Sequence, residues 1–160
     1  MASTINIANA HIANYTSDLT MEQLFDKIEK LANQDGLSFE CKRVDDNSFI
    51  AYNTLNIIGW SLPNIHRKSA YLKGEVIEQN GGCIIKTTTK PNSILPLFTW
   101  IAIISGCIIS LFSYFNENIN EYLLTFGTLL ILLGIVYIPI SFYFRNQLDQ
   151  KVVKHLNLQK

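Results

Sequence analysis

Residues with the chemistry to bind a metal ion or to act as nucleophiles are few and widely spaced in this sequence. Its three histidines, His11, His66 and His155, have no spacing that would bring two of them onto one metal ion. The adjacent carboxylates of Asp45 and Asp46 fall in a turn-forming segment, where neighbouring side chains point apart. We therefore predict no metal, no cofactor and no catalytic residues, and we expect that the protein is not an enzyme.

The three cysteines also favour a structural role. Cys41, Cys83 and Cys107 form an odd-numbered set without a Cys-x-x-Cys motif, so we expect free thiols in a reducing compartment. Because free cysteine behaves as a small apolar residue, Cys41 and Cys83 are predicted to lie in a core. The sequence contains no glycine-rich phosphate-binding motif, no Gly-x-Ser-x-Gly and no His-Glu-x-x-His.

Two long stretches without charge dominate the C-terminal half, residues 93–115 and 122–144. Each is about as long as a helix needs to cross a hydrocarbon core about 30 Å thick. The ionisable acids between them, Glu117 and Glu121, lie in the connecting segment, and neither stretch contains a charged side chain. The sequence therefore predicts a transmembrane helical hairpin, and the lack of intramembrane charge argues against transport by this chain alone.

Basic residues flank the hairpin on both sides. Lys86 and Lys90 precede the first stretch, and Arg145, Lys151 and Lys154 follow the second. Positive charge close to transmembrane segments stays in the cytoplasm. We therefore expect a multi-pass protein of the cell inner membrane with both termini in the cytoplasm.

A helix is predicted over residues 21–34. Thr20 and Gln23 have the spacing of a capping box, and apolar residues then recur every three to four positions. Gly36 supplies the left-handed conformation that ends helices. This helix should therefore bury one apolar stripe against another element.

After the helix, the apolar period changes to two, which is typical of strands. Asn80-Gly81-Gly82 is a strong hairpin signal, because its positive φ angles match the twist of the flanking strands. The fold class is therefore α+β, with one helix packed on a roughly four-stranded antiparallel sheet, followed by a two-helix transmembrane hairpin. The predicted strands are 37–42, 49–58, 69–79 and 83–89.

This pattern also gives the expected organisation of the chain. A flexible N-terminal arm precedes a cytoplasmic α+β domain, which leads into the hairpin and then a basic cytoplasmic tail. The N-terminal residues lack the basic and apolar regions of a secretory signal. The respective ranges are 1–16, 17–91, 93–144 and 145–160.

Small residues form one face on each predicted span. Ala102, Gly106 and Ser110 are four residues apart, and Gly127 and Gly134 are seven apart. Such faces let helix backbones approach closely in lipid. We expect them to pack the two helices of the hairpin together; association with another membrane protein or a second copy is the alternative.

Some residues of the polar half are candidates for contacts with lipid headgroups or a partner. Basic side chains near the membrane are attracted to anionic lipid, although they also set topology and solubility. Trp60 would be either an exposed anchor or a core residue. The candidates are Trp60, Arg67, Lys68, Lys86, Lys90 and Arg145.

The order of these features resembles a group of small bacterial membrane proteins of unknown function. The matching residues are Gly74-Glu75-Val76-Ile77, Gly81-Gly82-Cys83-Ile84-Ile85, Pro91-Asn92 and the segment 142–156. The resemblance covers residues 37–156. It implies an α+β domain followed by two transmembrane helices and a short charged tail, and it implies no activity and no functional residues.

We therefore expect a membrane-anchored interaction or regulatory module without catalytic activity. Its partners would be membrane lipid and another membrane or cytoplasmic protein, with a homo-oligomer as a further expectation. Acidic and basic residues are nearly balanced over residues 1–90, so nucleic acid is not expected. An inner-membrane immunity or toxin-neutralising protein and an enzyme acting on a lipid or small molecule at the inner leaflet are the alternatives.

Overall fold

In the computed structural model, the protein divides into two compact units, of which one is discontinuous in sequence. The first comprises Met1–Asn92 together with Tyr143–Lys160, and the second comprises Ser93–Phe142. We call them the sheet unit and the hairpin unit. The structure describes residues 10–34, 36–54, 68–79, 81–92, 94–115 and 121–160.

The sheet unit has an α+β fold built on an antiparallel sheet of five strands in the order β1-β5-β4-β3-β2. The sequence predicted this fold class with about four strands. The fifth strand is β1, at one edge of the sheet. The elements are β1 (His11–Ser17), α1 (Met21–Ala32), β2 (Phe39–Asp45), β3 (Ser48–Asn53), β4 (Ala70–Gln79), β5 (Gly82–Pro91), α2 (Ile94–Phe115) and α3 (Glu121–Leu156).

Helix α1 begins as its sequence predicts. The Thr20 hydroxyl accepts a hydrogen bond from the Gln23 backbone N–H, and the Gln23 side chain accepts one from the Thr20 backbone, which completes a capping box. The helix buries Leu24, Phe25 and Ile28 in the same core as one face of the sheet. The helix ends at Ala32, two residues before the predicted end, and its C-cap is Asn33 with a φ of −96°. Gly36 has the expected positive φ of +84° but lies in the segment beyond the cap, so it does not itself end the helix.

The N-terminal segment is a strand where the sequence predicted a flexible arm over residues 1–16. Residues His11–Ser17 form β1 and pair with β5 over their whole length. Ala13 and Tyr15 are buried, whereas Ile12 between them is 62% exposed. The expectation was wrong over these residues because the buried positions of β1 carry small or polar side chains, which give little apolar alternation.

The C-terminal segment 145–160 also differs from the expected basic tail. Helix α3 continues to Leu156, and Leu148, Val152 and Leu156 are fully buried in the core of the sheet unit. These residues are spaced by four, so they form one apolar stripe of a helix. Beyond the helix, the backbones of Gln159 and Thr16 exchange two hydrogen bonds, of 2.8 and 2.9 Å, beside β1.

The hairpin unit contains α2 and the first part of α3, both long and apolar enough to cross a membrane. The 22 residues of α2 span about 33 Å at about 1.5 Å per residue. Large apolar side chains such as Leu97, Ile108 and Leu132 are about 60% exposed on its surface. These features are consistent with a membrane protein.

Candidate functional site

One face of the sheet is buried with the helices, and the opposite face carries exposed and half-exposed side chains. We call this second face the open face. Because side chains alternate along each strand, its members follow from the pairing register. In its central row lie Ile12, Thr88, Lys73, Ile50 and Lys42, one from each strand.

Lysines outnumber acidic residues on the open face. The side chains are those of Lys42, Lys68, Lys73, Lys86 and Lys90, against Glu40, Glu75 and, after the bulge in β2, Asp45. Lys73 donates a hydrogen bond of 2.9 Å to Glu75 and so lowers the pKa of that carboxyl group. The amine of Lys68 lies 3.7 Å from Glu40. Within the described part of the chain, Lys42, Lys86 and Lys90 form no ion pair, so the face has an excess of positive charge.

Isoleucines lie among these lysines. Ile77 and Ile84 face each other across β4 and β5, and Ile77 is 57% exposed. Ile12 and Ile50 lie in the central row, on either side of Thr88 and Lys73. The open face therefore combines exposed apolar side chains with a net positive charge.

The two tyrosines of the open face are held by neighbouring groups. The Tyr52 hydroxyl donates a hydrogen bond of 2.9 Å to Glu40, and burial raises the pKa of Tyr52, with Glu40 adding to the effect. The Lys68 amine lies 5.2 Å from the centre of the Tyr52 ring, over its face. The Tyr71 hydroxyl accepts a hydrogen bond from the Lys68 backbone N–H.

The open face brings together three of the residues that the sequence singled out for lipid or partner contacts, namely Lys68, Lys86 and Lys90. Arg145 lies elsewhere, on α3, where its guanidinium donates to the side-chain oxygen of Asn146 at 2.9 Å. Trp60 and Arg67 lie outside the described residues. Lys42 and Lys73 were not singled out. Their alternation with apolar residues in β2 and β4 could have assigned them to the exposed side of the sheet.

A buried polar cluster joins α3 to the sheet. Asp149 is 8% exposed and accepts hydrogen bonds from the Tyr15 hydroxyl at 2.8 Å and the Thr89 hydroxyl at 3.2 Å. Burial, reinforced by the bond to Asp149 and by its negative charge, raises the pKa of Tyr15 to about 12. The Nδ1 atom of His11 lies 3.9 Å from the same carboxylate, too far for a hydrogen bond. The sequence did not identify this cluster, which we interpret as a clamp that holds α3 on β1 and β5.

The remaining histidine in the described residues also lies against the sheet. The His155 ring meets that of Phe39 edge to face at 5.0 Å, and its Nδ1 lies 2.8 Å from the Lys151 carbonyl. His66 lies outside the described residues. Among the residues described, no three His, Cys, Asp or Glu side chains come close enough together to hold a metal ion.

The cysteines have the environment that the sequence predicted for Cys41 and Cys83. Both are free and buried, and Cys107 on α2 is free and exposed. Burial raises the pKa of Cys41 to about 12, and it also raises that of Cys83. Because the thiolate is the reactive form, both groups are poor nucleophiles at neutral pH.

Within the hairpin unit, the small residues lie where α2 and α3 approach each other. A Cβ atom added to Gly106 would lie 2.7 Å from the Gly127 carbonyl oxygen, and one added to Gly127 would lie 2.9 Å from that of Gly106. Ser110 packs beside Gly127, and a Cβ atom on Gly134 would lie 2.6 Å from Ile103. Ala102 is 4% exposed. The backbones thus come so close at Gly106 and Gly127 that side chains would not fit.

Fold and surfaces together define an α+β domain interrupted by a helical hairpin. No family model matches the chain. A comparison with curated proteins likewise finds no match. The resemblance to small bacterial membrane proteins therefore stays a prediction.

Proposed function

We propose that this protein is a membrane-anchored interaction module without catalytic activity, whose α+β domain is tied to the membrane by both ends of the hairpin. One observation carries the proposal. The chain leaves the sheet unit after Asn92, and returns at Tyr143 to complete the same hydrophobic core. If the hairpin spans a membrane, both flanking segments are therefore on one side of it.

The composition of the hairpin supports membrane insertion. Soluble proteins rarely expose apolar patches of more than a few hundred Å², whereas many large apolar side chains of α2 and α3 are about half exposed or more. Residues 122–144 contain no charged side chain. In lipid, these side chains would be covered, and helical backbones would satisfy their own polar groups.

The charges that flank the hairpin support a cytoplasmic sheet unit. Lys86 and Lys90 of β5, and Arg145 and Lys151 of α3, all belong to this unit. Basic residues near membrane spans are retained on the cytoplasmic side. We therefore propose an inner-membrane location with both termini in the cytoplasm.

The proposal is tested by cysteine labelling in intact cells, in a background without the native cysteines. Asn118→Cys lies between the two predicted spans, and Lys160→Cys lies beyond the sheet unit's helix. A membrane-impermeant maleimide should label Asn118→Cys in intact cells and Lys160→Cys only after permeabilisation. External labelling of Lys160→Cys, or release of the protein from vesicles by alkaline carbonate, would contradict the proposal.

The immunity protein and the enzyme remain predictions that no contact among the described residues favours. Binding through the sheet unit is the role for which the open face offers a surface. A module of this kind requires a membrane anchor and a binding face. The helical hairpin would supply the anchor, and the open face would supply the binding surface.

A further inference from the structure

We infer that the open face binds an acidic polypeptide segment that carries apolar side chains among its carboxylates. This inference rests on the proposed function, since it identifies the chemistry of the partner that the membrane-anchored module would bind. Its basis is the complementarity of charge and of apolar surface on one sheet face.

The charge argument starts from the lysines without an ion pair. Lys86 and Lys90 lie four residues apart on the open side of β5, with Thr88 between them on the same face, and Lys42 lies on β2 across the sheet. Glu40 and Glu75 are already held by Lys68 and Lys73. Lys86 lies opposite Glu75 in the pairing of β4 with β5 and helps to lower the pKa of that carboxyl group, so part of its charge is already offset. Carboxylates of a partner would meet the positive charge that remains when five lysines are set against Glu40, Asp45 and Glu75. Such complementarity guides association and fixes register.

The apolar argument concerns the spacing of the isoleucines. Ile12 and Ile77 are 62% and 57% exposed, and both lie diagonally opposite Lys86 in the strand pairing. A purely ionic partner would leave these side chains in water. A segment with interspersed aliphatic residues would bury them, and such burial contributes to binding in proportion to the apolar area removed from water.

Nucleic acid fits the face less well, because single strands are bound by stacking bases on exposed aromatic rings. The Tyr52 ring is covered by the Lys68 amine, and its hydroxyl is bound to Glu40. A uniformly anionic lipid surface fits less well too, since Glu40 and Glu75 lie among the lysines. A polypeptide can place neutral or basic residues opposite these acids, whereas a lipid surface presents the same negative charge everywhere.

The test uses the full chain in nanodiscs of phosphatidylcholine and a fluorescent peptide in which glutamates alternate with isoleucines. Fluorescence anisotropy gives the dissociation constant. Lys86→Gln with Lys90→Gln should weaken binding about tenfold, as expected for the loss of two solvent-exposed charge contacts. The matched control, Lys30→Gln with Lys154→Gln, removes the same charge from exposed positions on α1 and α3 and should leave the constant unchanged.

A second pair of variants tests the apolar contribution independently. Ile12→Ser with Ile77→Ser should weaken binding of the glutamate–isoleucine peptide severalfold. For a peptide in which serines replace the isoleucines, this variant and the parent protein should have the same dissociation constant. The inference would be overturned if the isoleucine variant lost the same affinity for both peptides. It would also be overturned if the open-face and control lysine variants lost affinity equally, or if no variant lost affinity.

Lipid and nucleic acid are separate outcomes of the same assay. If nanodiscs containing phosphatidylglycerol abolish peptide binding, or if polyuridylate binds more tightly than the peptide, the acidic polypeptide is refuted as the occupant. Carbonate extraction of every variant is measured first. Release from the membrane contradicts the proposed function, whereas retention with peptide binding insensitive to the open-face variants contradicts this inference alone.

Discussion

Replacing Leu156 by alanine tests whether the segment after the hairpin completes the core of the sheet unit. Leu156 is fully buried and belongs to the same hydrophobic cluster as strands β1–β5. A buried leucine replaced by alanine typically costs about 2–5 kcal/mol, because apolar contacts are lost and a cavity remains. A loss of about 3 kcal/mol would raise the open fraction of the unit roughly a hundredfold.

Thiol labelling provides the assay, because Cys41 and Cys83 are buried in the sheet and react only when it opens. A Cys107→Ala background removes the exposed thiol on α2. With the protein in lipid nanodiscs, we expect the Leu156→Ala variant to be labelled by a maleimide roughly a hundredfold faster than its parent.

The control is Lys154→Ala, which alters an exposed position on the same helix and should leave the labelling rate nearly unchanged. Labelling of Leu156→Ala at the parental rate would refute the assignment of Tyr143–Lys160 to the sheet unit. Equal acceleration in both variants would show that the helix responds to any change, without a specific role for Leu156.

Three further predictions concern other parts of the molecule. Tyr15 has a pKa raised to about 12 from 10.0, so its contribution to stability should be complete below pH 10 and be lost as pH rises toward 12. Titration of tyrosine absorbance at alkaline pH, with the Tyr15→Phe curve subtracted from that of the parent, should give a midpoint for Tyr15 above that of an ordinary tyrosine. In an Asp149→Asn background, this midpoint should fall to a lower pH. Gly127→Leu should destabilise the hairpin unit by about 1–3 kcal/mol or more in detergent unfolding followed by circular dichroism, whereas Leu132→Ala at an exposed position should have little effect. Gly81 has a φ of +88°, so Gly81→Ala should lower the free energy of unfolding by about 1 kcal/mol, and Gly81→Asn, which tolerates this conformation, by less; equal losses would contradict the conformational explanation.

The elements with strong periodicity were predictable from sequence. Thr20 and Gln23 identified the start of α1, and charge-free stretches identified α2 and the first part of α3. Strand β1 was missed because its core positions, such as Ala13 and Ser17, are small or polar, and because its partner β5 lies about seventy residues away, as the pairing of Ser17 with Cys83 shows.

The C-terminal part of α3 was missed for a different reason. Its apolar stripe, Leu148, Val152 and Leu156, was present in the sequence, but the lysines between these residues favoured interpretation as a basic tail. The Asp149 cluster depends on three segments that meet only in the folded chain, so no local pattern could identify it. On the open face, strand alternation gave the side of each lysine, whereas the grouping of lysines from β2, β4 and β5 required the strand order.

The division of the sheet unit around the hairpin has a consequence for synthesis. During translation, strands β1–β5 emerge before the hairpin, while Leu148, Val152 and Leu156 emerge after it. Part of the core of the nascent sheet therefore stays uncovered until the hairpin has been synthesised, and under the proposed function it stays uncovered while both apolar helices enter the bilayer. A chain in which residues 143–160 failed to return to the sheet would retain this exposed apolar surface, the feature by which chaperones and quality-control proteases recognise incompletely folded proteins.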